Sequence, residues 1–472
     1  MTQVQKPKMV EVYLVLIIFL AIMSLSVAVF HLPIQLALLA SWFLIIGLGL
    51  KLKHTYKELQ DSILTGIYNG LEATLVLFTV GALIGTWIAG GVVPSLIYYG
   101  LQILHPSIFL LAAMIICSIT SLATGTSFGT VGTAGIAMMG IGASFGIPLP
   151  LVAGAVISGA YFGDKLSPLS DTTVMTASLS KVDVIEHVKG MLVVSIPTYI
   201  ITAFLFTIAG FFYVNGQADL SQAENVATAL DDTFNIHWYT LIPAVIVIAL
   251  LTMKKPAIPT IAFGAFLGIV WAALFQDMVV VEAIRTAYTG FKIDSGIEFL
   301  DTLLNAGGIE AMLGVIALII LALGLGGLLD RVGVLRAFSN LFNKWAKNSN
   351  GRLTVSTVLA SFFGNLFGSA AYVSLITGTK ITEDMYDDRN IDRRVLSRNT
   401  EGGGTVTAPM VPWSDAGVYM STVLGVSTLS YLPFMWLNFV GIIITIIYGY
   451  MGWFFWKTDE KKSSIEKQST SF

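Results

Sequence analysis

The sequence predicts an all-α polytopic membrane protein: about ten transmembrane helices in an inverted repeat, with two re-entrant hairpins and two interrupted helices. Three observations carry this prediction. The 472 residues are 55% hydrophobic and only 12% charged, with mean hydropathy +0.79, whereas a soluble protein carries about 25% charged residues. Several apolar runs reach about 20 residues, enough to cross the hydrocarbon core, and they lack the alternation of barrel strands. Short motifs recur in the same order in the two halves of the chain.

The first apolar run, Val10 to Phe30, is longer than the apolar core of a signal peptide, lacks a small-residue cleavage site and leads directly into 33–50. It reads as a retained span. Further apolar segments fall at 72–100, 107–123, 130–147, 148–163, 190–214, 238–252, 257–275, 311–329, 353–378, 402–429 and 431–456. Between them, 215–237 holds Asp219, Glu224, Asp231 and Asp232 and no lysine or arginine. The other loops are basic, with Lys51, Lys53 and Lys57, Lys254 and Lys255, Lys344, Lys347 and Arg352, and the tail lysines Lys457, Lys461 and Lys462. The positive-inside rule puts these in the cytoplasm and the acidic segment outside.

"GLEA" at 70–73 matches "GIEA" at 308–311, "GTSFGT" at 125–130 matches "GNLFGSA" at 364–370, and "SPLSDTTVM" at 167–175 matches "VPWSDAGVY" at 411–419. The offset drifts only from about 238 to about 244 residues, as expected of one duplicated unit. The predicted organisation is a first half at 1–214, an acidic external loop at 215–237, a second half at 238–456 and a cytoplasmic tail at 457–472. Reading 107–147 and 353–378 as hairpins, and 148–180 and 398–429 as single interrupted crossings, places every basic loop and both termini in the cytoplasm. The second half then runs upside down relative to the first. Such a design is common in secondary transporters, whose sites lie where half-helices meet near the midplane.

The interruptions carry the chemistry. "SGAYFGDKLSPLSDTTVMTAS" at 158–178 sets glycine, proline and hydroxyls where a continuous helix would run. Pro168 removes a backbone donor and clashes with the preceding turn, and carbonyls freed in lipid need partners. Sodium, a hard cation, suits the oxygens on offer: the carboxylates of Asp164 and Asp171, the hydroxyls of Ser167, Ser170 and Thr172, and backbone carbonyls. Asp171 also suits the first turn of the second half-helix, at the positive end of its dipole. In "SRNTEGGGTVTAPMVPWSDAGVYMS" at 397–421, Ser414 and Asp415 take the places of Ser170 and Asp171, and Arg398 and Glu401 add a charge pair. The hairpin tips, with Thr126 and Ser127 in the first, would face the breaks and complete the coordination. Lys165 reads as a tether for an aspartate, a ligand for a substrate carboxylate or a snorkelling charge.

An intramembrane acid costs about 2.5–3.5 kcal/mol on insertion scales and marks function by default. One carboxylate that alternates between a proton and sodium is the minimal antiporter. The structural alternative is that the same aspartates serve as helix caps. Other function classes find little support. The net charge of -3 does not suggest nucleic acid, and no phosphate-binding loop, no His/Cys metal cluster and no convergent Ser/His set is present. No cofactor is expected beyond the transported ions, and Cys117 reads as a packing residue.

"GDKLSPLSDTT" at 163–173, preceded by "ATGTSFGTVGTAG" at 123–135 and followed by "SRNTEGGGTVTAPMVPW" at 397–413, closely resembles the NhaC family of sodium/proton antiporters. Ser-Asp-Thr at 170–172 and Ser-Asp-Ala at 414–416 look like variants of the Ser-Asn-Thr motif of related divalent-anion/sodium symporters. The resemblance implies sodium/proton antiport in the cytoplasmic membrane, an elevator-like motion, the sodium set Asp171, Ser170 and Asp164, and a possible homodimer. The family also includes exchangers of sodium and lactate against protons and malate. A small organic anion or an amino acid, its carboxylate held by Lys165 or Arg398, is therefore the alternative cargo. An asparagine is common in the family where Ser414 stands, and the acidic Asp415 beside it favours a cation there.

Overall fold

The computed structural model describes residues 5–457 except 31, 70, 169, 218–219, 254, 295–300, 302–303, 306, 338–341, 343–344 and 347–348. Asp219, Lys254, Lys344, Lys347, Lys461, Lys462 and nearly all of the tail at 457–472 lie outside the described residues. The rest is almost wholly helical. One isolated antiparallel bridge, Ile391 to Lys457, is the extended pairing among the described residues.

In chain order the helices are α1 (Met9–Ser24), α2 (Ile34–Lys51), α3 (Tyr56–Asn69), α4 (Leu71–Ala89), α5 (Val92–Ile103) and α6 (Phe109–Thr124). The short α7 (Ser127–Thr130) runs through a π-turn into α8 (Ile136–Ser144), followed by α9 (Leu149–Leu166), α10 (Asp171–Leu179) and α11 (Val184–Gln217). Next come α12 (Leu220–Thr233), α13 (Ile242–Thr252), α14 (Ala257–Phe275), α15 (Val280–Thr289) and α16 (Ile309–Val332). The chain ends in α17 (Asn350–Gly368), α18 (Ala371–Asp387), α19 (Arg393–Gly403), α20 (Asp415–Leu424) and α21 (Trp436–Met451). Proline sets several starts: α2, α9 and α14 each begin directly after a proline, whose missing amide and fixed φ suit a helix start better than its interior, although α11 carries Pro197 within it.

Among the described residues, five helices are long and apolar enough to cross a membrane: Ile34–Lys51, Pro106–Thr124, Val184–Phe212, Ala257–Phe275 and Ile309–Val332; counting bent pairs as single spans gives up to 8. Large apolar side chains such as Ile17, Phe43, Phe204, Phe212 and Leu274 are exposed, as a lipid-facing surface requires. The helices sort into two groups. In one, α2, α3, α4 and α15 gather around α16, and α14 packs on α4 and α15. In the other, α6 packs on α9, α17 on α18, and α10, α19 and α21 join them. The α6–α9 crossing is close because glycine is present. A Cβ at Gly159 would meet the Met114 carbonyl oxygen at 2.2 Å, and one at Gly163 the Ser118 oxygen at 2.4 Å.

Both predicted hairpins turn in the same way. Gly125 (φ 75°, ψ 21°) and Ser369 (57°, 13°) adopt left-handed geometry, and each precedes an extended residue, Thr126 (-149°, 127°) or Ala370 (-146°, 143°), that opens the next helix. Both predicted interruptions are present, between α9 and α10 and between α19 and α20. Two segments differ from expectation. The span read as 72–100 bends by 68° between α4 and α5, where Gly91 has φ 74°. The acidic segment 215–237 holds helix α12, whose Val226 and Leu230 are buried; apolar side chains spaced four apart give it a face to bury that its charge had masked.

Candidate functional site

The first interruption begins where α9 closes with the Ser167 amide donating to the Asp164 carbonyl at 3.0 Å. The Ser167 hydroxyl donates to the Leu122 carbonyl of α6 at 3.0 Å, tying the break to the first hairpin. Ser170 caps α10: its hydroxyl accepts from the Thr173 amide at 3.5 Å and shares a bond with Thr172 Oγ1 at 3.0 Å. Asp171 occupies the first helical position, and its Oδ1 accepts from the Thr172 amide at 2.9 Å.

The second interruption follows the same plan with more support. Ser414 caps α20 through the Gly417 amide at 2.9 Å, and Asp415 Oδ1 accepts from the Ala416 amide at 2.7 Å. The Asp415 amide donates to the Ser369 carbonyl at the second hairpin tip at 2.9 Å. Side-chain donors satisfy the freed carbonyls here. Asn365 Nδ2 donates to Gly404 O at 2.7 Å, Asn438 Nδ2 to Val406 O at 2.6 Å, and the Tyr431 hydroxyl to Pro409 O at 2.8 Å. The second break is thus braced by the protein's own donors.

Helix N-termini at Ser127, Asp171, Ala257, Ala371 and Asp415 border one cavity of about 340 Å³. The predicted residues Asp164, Asp171, Asp415, Thr126, Ser127 and Thr172 line it. Asp164 and Asp415 are each 4% exposed, while Asp171 is exposed. The hydroxyls of Ser127 and Ser170 face the Asp164 carboxylate, whose Oδ1 has no hydrogen-bond partner. The three aspartates share a cavity without converging on one point. Among the described residues, no group of three or more His, Cys, Asp or Glu is placed to hold a single metal ion. A cation here would take one or two carboxylates and complete its shell with hydroxyls and water.

Glu401 stands behind the wall. It is fully buried, and Oε2 accepts from the Thr176 hydroxyl of α10 at 2.5 Å while Oε1 has no partner. Lys165, 2% exposed, also lies off the cavity, and Glu401 is the acid whose charge acts on it. The expected Arg398–Glu401 pair does not form. Arg398 turns to the segment after α21, donating to the Phe454 carbonyl at 3.3 Å and lying over the Phe455 and Trp456 rings at 5.8 and 5.7 Å. Those rings and that carbonyl outcompete a carboxylate one turn away on the same helix. Ser167 and Ser414 serve the breaks rather than the cavity wall.

Among the lining residues that sequence reasoning missed are Tyr161, Lys255, Tyr372 and Thr405. The Tyr372 hydroxyl donates to Asp171 Oδ2. Tyr161 sits one helical turn before Asp164, and Tyr372 directly follows the second tip, so both were findable. Lys255 belongs to a loop read as surface, and nothing local signals it.

The model of the Na+/H+ antiporter family matches residues 2–178 and 159–453. The chain belongs to the Na+/H+ antiporter family. Among its relatives, the malate-2H+/Na+-lactate antiporter of Bacillus subtilis (strain 168) is 59% identical over 467 residues, covering 99% of this chain and 100% of that one. The Na+/H+ antiporter NhaC of Alkalihalophilus pseudofirmus (strain ATCC BAA-2126 / JCM 17055 / OF4) is 35% identical, covering 89% and 90%. The arginine/ornithine antiporter ArcD of Halobacterium salinarum (strain ATCC 700922 / JCM 11081 / NRC-1) is also 35% identical, covering 89% and 86%. Relatives in the Na+/H+ antiporter family thus carry names with different cargoes, and the cavity has to be read for its own chemistry.

Proposed function

We propose that this protein is a secondary antiporter of the cytoplasmic membrane that exchanges sodium for protons at the cavity carboxylates. The observation that carries the reading is one cavity lined by aspartates from both interrupted helices, with a buried Asp164 oxygen left without a donor. Asp171, Asp164 and Ser170 would hold sodium, with Thr126, Ser127 and Thr172 as neutral ligands. Proton and sodium exclude one another there, because a carboxyl that carries one has lost the charge that attracts the other. Asp415 would tune the field from the opposite side, and Glu401 would take a proton behind the wall. The order of elements in 109–179 and 350–424 supports an inverted repeat of hairpin plus interrupted helix. The two helix groups support motion of the site-bearing unit against the other, with both termini in the cytoplasm.

A second cargo is favoured by the cavity's size and by the relative at 59% identity. A cavity of about 340 Å³ exceeds what one ion needs, since a water's share of liquid volume is about 30 Å³. We infer that a small organic acid of the malate or lactate kind shares it. In proteoliposomes, sodium should dissipate an imposed pH gradient, and Asp171→Asn should abolish this. Gradient collapse by lactate or malate only when sodium is present adds the second cargo. Collapse by the acid with no sodium requirement would discard the sodium-site assignment.

A further inference from the structure

We propose that Lys255 is the anion anchor of the cavity, its ammonium taking a carboxylate of the small organic acid; this rests on the organic-acid reading above. Among the described residues that line the cavity, the charged ones are Asp164, Asp171, Asp415 and Lys255, so Lys255 alone offers a carboxylate an attractive full charge. It comes from outside the interrupted helices. Leu251, Lys255, Pro256 and Ala257, at the end of α13 and the start of α14, line the cavity. The Lys255 amide is fixed to the Leu250 carbonyl at 3.1 Å, closing the end of α13. Its exposed side chain makes no hydrogen bond or ion pair with another described residue. The other cations near the breaks, Lys165 and Arg398, do not line the cavity. A hard cation among the aspartates and an organic anion at the lysine then occupy separate parts of one cavity.

The test is uptake of radiolabelled lactate and malate into sodium-loaded and sodium-free proteoliposomes. Lys255→Gln should raise KM for the acid about tenfold, the usual worth of a charge-assisted hydrogen bond, with kcat retained, and Lys255→Arg should restore most of the affinity. Lys255→Cys supplies an independent readout, since the native Cys117 is fully buried. An aminoethyl methanethiosulfonate adduct, which returns an ammonium, should rescue KM where the neutral methyl adduct does not. An unchanged KM in Lys255→Gln, or a charge effect that disappears at raised ionic strength as long-range steering would, overturns the anchor while leaving the organic-acid reading standing. Wild-type protein that exchanges sodium for protons and takes up neither acid overturns both.

Discussion

At the scale of single residues, the site depends on how few partners its acids have. Asp171 holds one amide of its own helix and one tyrosine hydroxyl, so Tyr372→Phe removes a single donor. The expected result is a several-fold rise in KM for sodium with normal expression, read from sodium-dependent pH changes in vesicles. Competition at a carboxylate also has a sign. As pH falls, protons occupy a growing share of the sites, so the apparent KM for sodium should rise and the maximal rate at saturating sodium should hold. A KM that is flat with pH would remove the competing-carboxylate account. Asp164, Asp171 and Asp415 were legible from sequence because Pro-x-Ser-Asp occurs twice and an acid in an apolar run is costly. Arg398 was misread for a physical reason. Spacing of three along a helix brings Arg398 and Glu401 to one face, but the aromatic segment after α21 offers the guanidinium a closer resting place.

At the scale of elements, the two interruptions solve one problem with different means. Three side chains, Asn365, Asn438 and Tyr431, hold the carbonyls of the second break. Replacing Asn365 by Ala removes its bonds to the Gly404 carbonyl and the Thr407 hydroxyl, while the Thr407 and Ala408 amides still donate to the Gly404 carbonyl, at a cost of about 0.5–1.5 kcal/mol per lost bond. Lower thermal stability in detergent is expected, with residual transport retained. The α6–α9 seam tolerates less. Gly163→Val places a Cβ 2.4 Å from the Ser118 oxygen, so loss of folded, monodisperse protein on size exclusion is expected, whereas the same substitution at Gly314, with nothing near its Cβ, should be mild. The breaks and tips were readable from their glycine, proline and hydroxyl content. The bend at Gly90–Gly91 and helix α12 were not. An apolar run does not record its own direction, and four acids in a short segment conceal the Val226 and Leu230 stripe.

At the scale of the whole molecule, α20 stands between the two helix groups. Its first turn borders the aspartate cavity, while Val418, Ser421 and Thr422 border a second cleft shared with Ala311, Val315 and Leu318 of α16. If the site-bearing unit slides against α16, a covalent bridge there must stop it. Cysteines at Val315 and Val418, in a Cys117→Ala background, should allow oxidative arrest of transport that reductant reverses; full activity with the bridge in place would refute sliding at this seam. Membership of the Na+/H+ antiporter family and the helical membrane fold followed from composition and motif. The place of Lys255 did not, because the contact between a loop after α13 and breaks before α10 and α20 is a property of packing alone.

Three aspartates in one cavity with Lys255 also bear on order of loading. On the proposed reading, bare carboxylates would repel an arriving acid even with the lysine in place, and a cation that neutralised them would lift that repulsion. The cation would then act as a ticket for the anion, and a half-loaded carrier would have little reason to complete the trip.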